Sequence, residues 1–164
     1  MNDPVSVVEE QLTKHRTEGT EVVGPERRAF LEAALHEHLA AELAGDVPAI
    51  VGTFSKSGQL SFNGVVYDTP EKMARFHKDF GWDGHGMLSD IGGEIRHLRY
   101  THDSVIVEYL VHATVAVPLR GAPAGRPVSF PICTIYEFDE AGKLVSERSY
   151  MDSAALLPEP ILSL

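Results

Sequence analysis

Apolar residues recur along this chain at two different periods, helical in the first half and alternating in the second. From Pro25 to Ala44 the spacing is helical, with Leu31, Leu35, Leu39 and Leu43 forming one ridge. Pro25 suits a first helical turn, Glu26 complements the helix dipole, and Gly45 fits a C-terminal cap. A shorter polar helix is predicted over residues 3–19, with Val5, Val8 and Leu12 at helical spacing, broken between Gly19 and Pro25. Asp46 to Phe54 predicts a short helix running into a turn. Gln59 to Tyr67 predicts a strand or hairpin that bends at Asn63-Gly64. Thr69 is a natural N-cap and Pro70 a natural first residue for a further helix, whose inner face carries Met73, Phe76, His77 and Phe80.

After the loop Gly81 to Gly86, which holds the only tryptophan, the pattern changes to strands. They are predicted at Glu94–Tyr100, Ser104–Val115, Val128–Phe138 and Leu144–Asp152. A Pro/Gly loop over 119–127 joins two of them, and Asp139 to Lys143 forms a tight hairpin with Gly142 in the left-handed position. The tail from Ala154 stays apolar, but Pro158 and Pro160 stop it from continuing as a helix. Helices followed by a mostly antiparallel sheet define an α+β class. A curved sheet wrapped around the long N-terminal helix leaves a conical cavity, the default ligand site of such a fold.

Composition narrows the partners. The 164 residues suffice for one domain with one core. A net charge of −10 argues against nucleic acid and against a polybasic membrane anchor. No apolar run approaches the roughly 20 residues of a membrane span, and the N-terminus lacks the pattern of a signal peptide. The single cysteine, Cys133, permits no internal disulfide, so a cytoplasmic location is the expectation. Mid-strand among apolar neighbours, it reads as a core residue rather than a nucleophile.

Asp152, at the end of the last predicted strand, is the first candidate for chemistry. A carboxyl buried in a sheet is costly, and desolvation raises its pKa toward the range in which it shuttles protons. The alternative role is a cap on the turn that follows. Tyr150 and Arg148 share its face by the period of two. Arg148 either pairs with an acid or holds a substrate carboxylate. Glu108 and His112 share a face of their own strand and are either acid–base partners inside the cone or surface residues outside it. His38 and Glu42, one helical turn apart, line the pocket mouth or form a buried histidine–carboxylate pair. Phe54, Phe62, Trp82 and Tyr136 are candidates for an aromatic wall. Eight histidines raise a metal question, but His36 and His38 diverge on a helix and the others lie on separate elements, so no metal site is expected. No phosphate loop or dinucleotide fingerprint is present.

Four stretches together resemble the NTF2-like superfamily and, within it, the SnoaL-like group of polyketide and ester cyclases. They are His38-Leu-Ala-Ala-Glu-Leu-Ala-Gly-Asp46; Asn63-Gly64 leading to Pro70-Glu-Lys-Met-Ala-Arg-Phe76; Val105-Ile-Val-Glu108 followed by Gly125-Arg-Pro-Val128; and Tyr136 to Leu144 running into Arg148-Ser-Tyr150-Met-Asp152. The resemblance covers roughly residues 25–157 and implies an N-terminal extension over 1–24 and one domain over 25–164. It implies a fold with a pocket, not one reaction. For a SnoaL-like cyclase it implies Asp152 as general acid and base, with no cofactor, on a small hydrophobic carbonyl compound. Tyr150, His112 or Tyr136 would then donate hydrogen bonds to the developing oxyanion, and His38, Phe54, Trp82, Glu108, Tyr136 and Arg148 would contact the substrate. No histidine follows His112 to match the one those cyclases place on a neighbouring strand. A non-catalytic binding or dimerisation module is the alternative. The outer face of the sheet needs cover, so a homodimer is expected.

Overall fold

The computed structural model describes residues 4–15, 23–119 and 121–156. Four helices precede or interrupt the sheet: α1 (Pro4–His15), α2 (Pro25–Ala44), α3 (Val47–Gly52) and α4 (Pro70–Phe80). The strands are β1 (Phe54–Phe62), β2 (Val65–Tyr67), β3 (Leu88–Tyr100), β4 (Ser104–Val115), β5 (Pro127–Phe138) and β6 (Leu144–Met151). A 3-10 turn over Ser153–Leu156 follows. The break expected between Gly19 and Pro25 lies mostly outside the described residues, and Pro158 and Pro160 lie wholly outside them.

Helix α2 keeps the bounds its pattern predicts. Leu31, Leu35 and Leu39 are buried and Leu43 packs against the core. Gly45 closes the helix at φ 68°, and its N–H returns to the Glu42 carbonyl at 2.9 Å. Asp46 caps α3 by accepting from Ala49 N at 3.0 Å, and Thr69 caps α4 by accepting from Lys72 N at 3.3 Å. Asn63 and Gly64, both at positive φ, turn β1 into β2.

The six strands run in the order β2-β1-β6-β5-β4-β3. All pairs are antiparallel except β1–β6. The parallel pair exists because the chain enters the sheet at β1, leaves through α4, and returns to β1's free side only at β6. Two strands differ from the sequence reading: β1 begins at Phe54, and β3 begins at Leu88 with register shifts between Ser89 and Gly92 and between Ile95 and His97. Those irregularities break the alternation from which a strand is read.

The inner face of the sheet supplies most of the core. From β4 come Val105, Val107, Ala113 and Val115; from β5 come Val128, Phe130, Ile132, Tyr136 and Phe138. Helices α2 and α4 pack onto this face with Leu31, Leu35, Met73, Phe76 and Phe80. Helix α1 adds Val8 and Leu12 to the same core. Its Gln11 reaches β3, donating from Nε2 to the Gly93 carbonyl at 2.9 Å and accepting the Ile95 N–H at Oε1. No helix among the described residues is long and apolar enough to cross a membrane.

Candidate functional site

The helices and the inner face of the sheet enclose a cavity of about 110 Å³. A water needs roughly 10–15 Å³ by this kind of measure, so the space takes a small molecule or several waters. Its walls are mainly apolar, with Leu39, Phe62, Phe80, Trp82, Ile95 and Ile132 among them. Val8 and Gln11 of α1 close one side. Trp82 is held in place by its stack on Phe80 and by Gly45, where a Cβ would approach the Trp82 carbonyl to 2.6 Å.

One region of the wall is polar. Glu42 from α2 and Glu147 from β6 face the cavity, with Thr134, Ser149, Tyr109 and Tyr136 beside them. His38 lies behind the two carboxylates and is fully buried. Its Nε2 stands 3.4 Å from Glu147 Oε2 and 3.6 Å from Glu42 Oε1. Thr53 Oγ1 already donates to the Ile50 carbonyl at 2.6 Å, so it accepts from His38 Nδ1 at 2.8 Å. A proton is thereby fixed on Nδ1, and Nε2 is turned toward the acids. Burial alone pushes the His38 pKa down, but the charges and contacts of Glu42 and Glu147 outweigh it and hold the imidazole up to about 10.

Glu147 is 4% exposed. Burial pushes its carboxyl up, yet His38, the field of His77 and the Ser149 hydroxyl together bring it below its ordinary value. Ser149 donates to Glu147 Oε1 at 3.3 Å and is itself 2.9 Å from the Thr134 hydroxyl. Glu147 Oε2 has no hydrogen-bond partner among the described residues; its approach to His38 has ion-pair distance without hydrogen-bond alignment. The Tyr109 and Tyr136 hydroxyls are 3.1 Å apart. Desolvation, reinforced by the nearby Glu42 and Glu147 charges, raises both phenols well above their usual pKa, so both stay protonated donors.

Of the sequence candidates, Trp82 and Tyr136 line the cavity, and His38 stands behind the wall with its ring 5.6 Å from that of Tyr136. Phe54 stands behind them, edge-on to His38 at 5.7 Å, and is not part of the cavity wall. The remaining candidates lie on the wrong face. Asp152, expected to project into the hollow, is exposed and accepts from Ala154 N at 2.9 Å as a cap on the turn. Tyr150 is 52% exposed. Arg148 turns outward and makes a two-pronged ion pair with Glu137 at 2.8 and 2.9 Å. Glu108 and His112 are exposed on the outer face. The reason is parity. Glu147, Ser149 and Met151 point inward on β6, so Arg148, Tyr150 and the residue after the strand point away. On β4 the inward set is Val105, Val107, Tyr109 and Val111, which sends Glu108 and His112 out. Met151, the apolar residue of the final stretch, carried the signal: counting back from it by two reaches Glu147.

Enclosed helix, bent sheet and lined hollow define an NTF2-like cone. The chain matches the SnoaL-like domain family over residues 28–147 and belongs to it. Among solved structures it is similar to AclR, a candidate hydroxylase from Streptomyces galilaeus, at 20% identity and TM-score 0.65 over 78% of this chain and 82% of that one. A candidate SnoaL-like polyketide cyclase from Jannaschia sp. CCS1 gives 16% identity and TM-score 0.68 over 87% of this chain and 100% of that one. An LEH-like epoxide hydrolase from M. tuberculosis gives 16% and 0.59 over 78% and 86%. At such identities the likeness is one of fold. No curated protein matches the chain.

Proposed function

We propose that the protein is a proton-transfer enzyme for a small hydrophobic carbonyl compound, and that Glu147 is the group that moves the proton. The observation that carries this reading is the bare Oε2 of a buried carboxylate in the wall of a mainly apolar cavity. Glu147 takes a proton from the carbon next to the carbonyl. The Tyr109 hydroxyl, tied to Tyr136, donates to the oxygen as it gains enolate charge. His38 holds the carboxylate in place and balances part of its charge. The enolate then closes a ring, takes the proton back at a second carbon, or expels water. Strong stabilisation of the oxyanion lets a weakly basic carboxylate act as the base; in ketosteroid isomerase the pKa of the catalytic Asp is only modestly raised. Names among the structural neighbours, which include cyclases and an epoxide hydrolase, fit acid–base chemistry in such a pocket.

Hydrogen–deuterium exchange tests this directly. A panel of cyclic and aromatic ketones incubated in D₂O with chelator-treated protein should lose the α-proton signal by NMR. Glu147→Gln should slow exchange by about 10²–10⁴-fold. Equal rates in variant and wild type would remove Glu147 from the mechanism. Saturable ligand binding with no exchange above buffer would mark the chain as a binding module instead.

The same proposal includes a homodimer working in the cytoplasm. Support for the dimer comes from the outer face of the sheet, where Tyr150 is exposed on the same side as Ile106, Leu110 and Ile135. The lone cysteine supports the location.

A further inference from the structure

We propose that His38, Glu42 and Glu147 form a binding site for a divalent transition-metal ion of the zinc, manganese or iron class. One ligand atom from each, all buried, lies within 4.8 Å of the other two. Bonds of about 2.0–2.2 Å set tetrahedral ligand atoms roughly 3.4 Å apart. The 3.4 Å and 3.6 Å separations from His38 Nε2 to the two carboxylates match that edge.

Three further observations point to a cation. First, His38 Nε2, His77 Nε2 and Glu147 Oε2 have no hydrogen-bond partner among the described residues, although all three are buried. Second, each imidazole is already oriented from behind. His38 donates from Nδ1 to Thr53, and His77 donates from Nδ1 to the Met73 carbonyl at 2.7 Å. A metal-ligating histidine characteristically gives its other ring nitrogen to such a partner, which fixes the tautomer with the free lone pair toward the ion. Third, two carboxylates share one pocket wall, and a divalent cation balances the charge of both. His77 stands one step outside the group, its Nε2 3.9 Å from Glu42 Oε1. Because Glu42 and Glu147 face the cavity, the fourth coordination position opens toward it, as in sites that bind a water or a substrate. Imidazole with carboxylates suits zinc, manganese or iron better than calcium or magnesium.

The ion goes beyond the proton-transfer reading and restricts it. A cation bound to Glu147 occupies the oxygen that the proton needs, so the two states exclude each other, and the metal acts as a reversible block on the site.

Calorimetric titration of the untagged, chelator-treated full chain with zinc chloride, and visible spectroscopy with cobalt(II), test the site without reference to turnover. Saturable one-to-one binding is expected, with a cobalt spectrum of low-symmetry N/O ligation. Glu147→Gln should weaken binding by at least 100-fold. Thr53→Val, which keeps the side-chain volume and removes the orienting acceptor together with its bond to the Ile50 carbonyl, should weaken it by about 10–100-fold. His97→Ala, on the exposed face, should leave it unchanged. No saturable site in the wild-type chain overturns the proposal. So does undiminished affinity in both Glu147→Gln and Thr53→Val, or loss of the site in His97→Ala. Exchange in chelator is read separately, so either reading can fail without the other.

Discussion

Asp152 and Glu147 are five residues apart and have opposite fates. Asp152 follows the strand and satisfies a turn N–H in solvent. Glu147 is inside, desolvated, and held by a fully buried histidine. Exchange of Asp152 for Asn should therefore leave proton exchange and stability nearly unchanged, within about 0.5 kcal/mol, because Asn caps as well as Asp. Denaturant unfolding and the NMR assay check this; a variant without activity would restore Asp152 to the site. The sequence made His38 and Glu42 visible as a pair because a helical turn separates them. Glu147 was hidden, since it meets His38 only after about a hundred residues of chain have folded back. Tyr109 was hidden for a different reason. Ile106 and Leu110 make both faces of β4 apolar, and alternation then cannot say which is inner.

Element boundaries were legible wherever a local chemical stop exists. Pro25 and Gly45 bracket α2, Thr69-Pro70 opens α4, and Asn63-Gly64 bends β1 into β2. β3 was cut short in the sequence reading because its early part, Leu88 to Gly93, is irregular and carries Asp90 at positive φ. The turn that leads into it has little slack. Gly81 has φ 126°, and a Cβ there would run into the Leu88 backbone carbonyl. Gly81→Ala should destabilise the fold by at least about 1–3 kcal/mol. At roughly 2–4 °C per kcal/mol for a chain of this size, the melting midpoint should fall by several degrees in thermal circular dichroism. An unchanged midpoint would show that the turn can relax. The same turn carries Trp82 into the cavity wall, so its variant should also dull ligand-induced changes in tryptophan fluorescence.

At the scale of the whole molecule, the cone has an interior fitted with chemistry and an exterior with apolar side chains to spare. The homodimer proposed for that exterior predicts twice the 18.0 kDa chain mass in light scattering across micromolar concentrations. Leu110→Glu should shift the mass toward one chain, because a charge in a close apolar contact is costly. A wild-type chain that scatters as a monomer throughout would refute it. Fold class was readable from the order of periods alone. The parallel β1–β6 pairing was not, because it depends on which free side of β1 the returning chain reaches.

Gln11 has one more consequence. β3 is a terminal strand of the sheet, and terminal strands offer unsatisfied amides to any neighbouring chain. The two bonds from the Gln11 side chain to Gly93 and Ile95 imitate what a seventh strand would supply at that rim. The leading helix is thus a plug against fibril-like stacking as well as a cover, and a chain trimmed of it would gain a sticky border along with an open pocket.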